Sequence, residues 1–135
     1  MRNFTPALLS VQVLLLALSL LASCSSFSKN FEQGLTPAEF FQRAQEASEK
    51  RNYKLALHYY QAFQAEYPTE LDRNLWACYE IAFLYHKMGK EGTALELFEE
   101  LIEQYASDES AAYPQGPLIL AEKVKAGIED RLQKK

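Results

Sequence analysis

Two histidines, two cysteines and a group of glutamates are the reactive side chains of this 135-residue chain. His58 and His86 lie in different segments, and no Cys, Asp or Glu stands near either with a convincing metal-ligand pattern, so both read as solvated helix residues. Cys78 falls inside an apolar helical pattern and reads as a small buried residue, not a nucleophile. Glu96, Glu99, Glu100 and Glu103 fall on the outer face of one helix, the pattern of a solvated surface. The chain has no Gly-rich phosphate loop and no G-x-S-x-G elbow. The expectation is a protein that is not an enzyme and holds no metal or diffusible cofactor. Binding chemistry has a better basis in Trp76, Tyr79, Phe83, His86 and Lys87, whose spacings of 3, 4, 3 and 1 share one helical face. Aromatics with a polar handle are favoured anchors at protein interfaces.

The composition frames this set. Apolar residues make up 48% and charged residues 24%, an ordinary globular balance that excludes a multi-pass membrane protein and long disordered stretches. The length suits one small domain. A net charge of −4 gives no basic excess, so nucleic acid is not an expected partner.

The N-terminus carries the most specific pattern. Arg2 supplies a positive charge, and Ala7 to Leu21 is a mostly apolar run, the layout of a secretory leader. A spanning helix needs about 20 apolar residues, and this shorter run ends in the polar string Cys24-Ser25-Ser26. Leu21-Ala22-Ser23-Cys24 resembles the bacterial lipobox. That resemblance implies cleavage after Ser23, diacylation of the Cys24 thiol and acylation of the new N-terminus. A retained anchor and a plain leader with an incidental cysteine are the alternatives. Ser25 stands where an Asp favours inner-membrane retention in enterobacterial lipoproteins, so the resemblance implies an outer-membrane destination facing the periplasm. Residues 24–35 read as a polar tether.

From Thr36 onward the sequence is helical. Thr36-Pro37-Ala38-Glu39 has an N-cap, a proline at the first helical position and a capping-box glutamate, which starts a helix running to about Lys50. Leu55, Ala56, Tyr59, Tyr60 and Phe63 then keep helical spacing until Pro68. A third helix is expected over about 75–88, with Gly89 as its left-handed terminator, and a fourth over about 91–105. After a loop at 106–116, Pro117 opens a closing helix whose Ala121, Val124, Ile128 and Leu132 form a stripe to cover the open side of the second helix pair.

Ala56, Tyr60, Phe63 and Tyr67 recur as Ala94, Phe98, Leu101 and Tyr105, always at the same offset along the chain. With Phe40, Ala44, Pro68, Ala82 and Tyr85 at matching places, these hairpins resemble tetratricopeptide repeats, helix pairs with a small residue at the crossing. Arg43, Arg51 and Ala106 depart from the motif. The resemblance implies an all-α domain over 36–135: repeat one at about 37–70, repeat two at about 75–108 and a capping helix at about 117–134. It also implies a concave groove lined by the first helix of each pair. Phe41, Gln45 and Ser48 would face it from repeat one, and Trp76, Tyr79, Phe83, His86 and Lys87 from repeat two. The competing arrangement has the closing helix or the tether packed over those aromatics.

The function implied is that of a lipid-anchored envelope adaptor, similar to outer-membrane assembly and pilotin-type repeat lipoproteins, binding a segment of another envelope protein. The alternative is a passive surface-exposed or structural lipoprotein with no groove ligand. Repeat arrays need about three units for a continuous core, so support from a partner or from self-association is also expected.

Overall fold

The computed structural model describes residues 34–107 and 112–134, and helices are the only regular elements among them. They are α1 (Pro37–Glu49), α2 (Tyr53–Glu66), α3 (Leu71–Lys87), α4 (Glu91–Ser107) and α5 (Gln115–Gln133). The compact unit they form begins at Leu35. The expected leader, Cys24 and the tether to residue 33 lie outside the described residues. Among the described residues no helix is long and apolar enough to cross a membrane.

The local signals act as their chemistry dictates. At the start of α1 the Thr36 hydroxyl accepts from the Glu39 amide at 3.3 Å, while the Glu39 carboxylate accepts from the Thr36 amide at 2.7 Å. Two orphan donors are satisfied at once. The ends of α1 and α3 repeat one device at the offset that relates the two hairpins. Arg51 N–H donates to Ser48 and Asn52 N–H to Ala47, both at 2.9 Å; Gly89 donates to His86 at 2.9 Å and Lys90 to Tyr85 at 3.0 Å. Both are Schellman turns, with Arg51 at φ 59° and Gly89 at φ 73° in the left-handed region. The backbone angle at Arg51 is one that favours glycine. Arg51→Gly is expected to stabilise the domain by about 1 kcal/mol, measured as a higher urea midpoint at unchanged slope.

Two bounds differ from the expectations. Helix α3 begins at Leu71, a turn earlier than the expected start near residue 75, because the residues 69–74 do not all form a connection. Asn74 instead donates to the carbonyls of Tyr67 at 2.8 Å and Glu70 at 3.0 Å, and Asp72 lies in the positive first turn. In α5, Pro117 is the third residue and Pro114 the N-cap. Leu132 is 46% exposed, so the covering stripe ends at Ile128, which is 1% exposed.

Two apolar clusters hold the helices. Phe40 and Ala44 of α1, Tyr60 and Phe63 of α2, and Ala77, Ile81 and Leu84 of α3 form the first. Leu75, Tyr79 and Ala82 of α3, Ala94, Phe98 and Leu101 of α4, and Ala121 and Ile128 of α5 form the second. Alanines at 0% exposure in both clusters let the helix axes approach, and the buried rings fill the space beside them. Helix α3 belongs to both clusters and packs against α2, α4 and α5. Two tyrosines at matching repeat positions clamp the segments entering helices: Tyr67 Oη donates to the Leu35 carbonyl at 2.8 Å and Tyr105 Oη to that of Pro114 at 2.6 Å.

Candidate functional site

Because α3 feeds two clusters, its surface divides by spacing. Ala77, Ile81 and Leu84 turn toward α1 and α2, whereas Leu75, Tyr79 and Ala82 turn toward α4 and α5. Between these faces runs a line spaced 4, 3 and 4: Trp76, Glu80, Phe83 and Lys87. The first three are half-buried and Lys87 is exposed.

The structure brings most of the expected aromatic set into one chain of contacts. Trp76 meets Tyr79 edge-on at 6.2 Å, Tyr79 stacks on Phe83 at 5.8 Å, and Phe83 lies 6.0 Å from the His86 ring. Lys87 holds its ammonium 5.1 Å from the Phe83 centroid and 5.9 Å from that of Tyr53, within cation–π range. Openness differs sharply along the set. Tyr79 is 7% exposed and leans on Phe98 at 6.1 Å, so its ring is part of the second cluster. Burial, with the Glu80 charge adding to it, pushes the Tyr79 hydroxyl above the usual phenol range. Trp76 is approached by the start of α5: a Cβ added at Gly116 would lie 2.6 Å from Trp76 Cζ2. Absence of a side chain there is what lets the backbone come so close.

His86 acts as a joint. Its Nδ1 lies 2.7 Å from Glu91 Oε2, and Arg131 Nη2 donates to Glu91 Oε1 at 3.4 Å, tying the end of α3 to the start of α4 and the end of α5. Lys125 of α5 adds an ion pair with Glu99 of α4. In the first hairpin Phe41 packs edge-on against Tyr60 at 5.2 Å and Phe63 at 5.1 Å, while Gln45 is exposed on α1. Phe41 thus braces its own hairpin.

The sequence patterns gave Tyr60 a packing place only and gave Glu80 no role. The spacing held the information, since Glu80 is four residues after Trp76 and three before Phe83. Attention to aromatics alone left the carboxylate out. Its importance comes from burial, which raises its pKa above the ordinary carboxylate range while the Lys87 charge pulls it partly back.

Hollows also lie elsewhere among the described residues. One of about 640 Å³ lies against α1 and α2 and is lined by Gln42, Arg43, Glu46, Lys50, Leu55 and Tyr59. The other, about 310 Å³, lies among α2, α3 and α4 beside Cys78. Gln64 Nε2 lies 3.2 Å from Cys78 Sγ, and burial raises the thiol's pKa, which disfavours the reactive thiolate. Among the described residues no group of three or more His, Cys, Asp or Glu could hold a metal ion. No protein-family model matches the chain, and neither the curated proteins nor the solved structures give a match.

Proposed function

We propose that this chain is a bacterial envelope lipoprotein, anchored through acyl chains on Cys24, whose tetratricopeptide-like domain binds a segment of another envelope protein. The setting is outer-membrane protein, secretion or pilus assembly, and the domain faces the periplasm from the outer membrane. One observation carries the binding reading: α3, the helix shared by both clusters, keeps Trp76, Phe83 and Lys87 partly or fully open on one line. A helix required only for packing would be expected to show small or polar residues along an open line. Repetition of the Schellman turn at the offset of the hairpins supports the repeat reading.

A second reading is favoured by Gly116 against Trp76 and by the burial of Tyr79: the aromatics serve chiefly to seat α5, and the lipoprotein is structural with no groove ligand. In-cell crosslinking separates the two. With p-benzoylphenylalanine in place of Phe83, binding predicts a discrete intermolecular adduct, identified by mass spectrometry and lost in Trp76→Ala protein that retains its helical circular dichroism. Intramolecular links to α5 alone would overturn the groove reading.

A further inference from the structure

The open line of α3 contains a carboxylate without a counter-group. Glu80 is half-buried between Trp76 and Phe83, and among the described residues its carboxylate has no hydrogen bond or ion pair within bonding distance. Lys87 lies two turns further on with its ammonium over Phe83 and Tyr53, close enough to act on Glu80 through the field but not as an ion-pair partner. Beside it lies a second unsatisfied group. Tyr60 of α2 is 1% exposed, yet its hydroxyl has no hydrogen-bond partner among the described residues. Glu80 is near enough for its charge to raise the Tyr60 phenol further than burial alone does. Tyr67 and Tyr105, by contrast, donate their hydroxyls to backbone carbonyls. Buried polar groups in folded proteins are normally hydrogen-bonded, so the half-buried Glu80 carboxylate on a partly open helix face marks a place where a ligand completes the set.

The chemistry selects the ligand. A carboxylate in low dielectric calls for a cation, and flanking indole and phenyl groups favour one with a long apolar stem. An acidic chain of net charge −4 attracts such a group from a distance. We infer that the α3 line binds a basic segment of the partner protein by seating one lysine or arginine side chain, its cationic head on the Glu80 carboxylate and its stem along Trp76 and Phe83. This rests on the groove reading above and adds the charge of the partner. Lys87 keeps a second cation away from the far end of the line.

Trp76 is the only tryptophan, so its emission reads the site directly in the full lipidated chain in detergent micelles. The probes are capped pentapeptides with Arg, Gln or Glu at the centre of four alanines, together with spermidine. The Arg peptide is expected to give a saturable change that weakens at least about tenfold in Glu80→Gln and stays unchanged in the exposed-surface control Glu103→Gln. Glu80→Gln is also expected to raise the melting temperature near neutral pH, because the neutral amide escapes the desolvation that the carboxylate suffers. An unsaturable Arg titration, or one equal in wild type and Glu80→Gln, overturns the proposal. Equal binding of the Gln peptide, indifferent to Glu80→Gln, removes the cationic partner but leaves the groove. Spermidine binding as tightly as the Arg peptide overturns the peptide in favour of a free polyamine. No binding by any probe, together with only intramolecular crosslinks at residue 83, removes the groove itself.

Discussion

Replacing Phe98 with alanine is expected to cost about 3–5 kcal/mol, lowering the melting temperature by about 15 °C or more. Phe98 is 0% exposed in α4 and occupies the second cluster, where it supports the Tyr79 ring and lies among residues from α3, α4 and α5. Truncation removes the buried ring and leaves a void that rigid neighbours fill only in part. A domain of this size has a total stability of about 5–15 kcal/mol, and a short helical array belongs to the lower part of that range. The loss would therefore consume much of the total. Urea unfolding followed by circular dichroism measures it, with Glu103→Ala on the exposed side of α4 expected to stay within about 0.5 kcal/mol of wild type. A Phe98→Ala cost below about 1 kcal/mol would mean that α3, α4 and α5 are not held by one shared cluster.

Cys24→Ser is expected to move the protein from the membrane pellet to the soluble fraction and to abolish the acyl mass on its N-terminal peptide. On the proposed lipoprotein reading, each acyl CH₂ buried in lipid contributes about 0.8 kcal/mol and stable attachment requires more than one chain, so removal of the acceptor thiol removes the acyl anchor. Among the described residues no helix is long and apolar enough to cross a membrane. Fractionation after a carbonate wash, with mass spectrometry of the mature N-terminus, reads both effects. A variant left in the pellet with an uncut leader would also need to be distinguished by mass: the intact precursor mass at the wild-type sequence would assign anchoring to the leader and overturn lipidation.

How far the sequence reaches can be judged residue by residue. Thr36 and Glu39 specified the start of α1 because a capping box is a local arrangement, complete between those two positions. Pro68 and Gly89 marked the neighbourhoods where α2 and α3 stop, through a missing amide donor and a tolerated positive φ. The constant offset between the hairpins reappears in the paired Schellman turns and in the two clamping tyrosines, since the same local sequence meets the same steric limits twice. Periodicity likewise placed Trp76 and Phe83 near one another on α3.

Coverage of that face was decided by tertiary structure. Spacing gives the angle at which a side chain leaves its helix, whereas burial depends on which distant element crosses that arc. Gly116, far along the chain from Trp76, approaches the indole because it has no side chain, and Phe98 closes the space beside Tyr79. Neither relation is encoded in any window around α3. The exposed Leu132 shows the same limit from the other side: it keeps the stripe's period, but it is more open than a covered stripe residue. Glu80 is the sharpest case. In the sequence it is one glutamate among many, and its half-buried place beside Tyr60 arises only when α2 and α3 pack together, because desolvation is a property of the assembled surroundings and not of the residue.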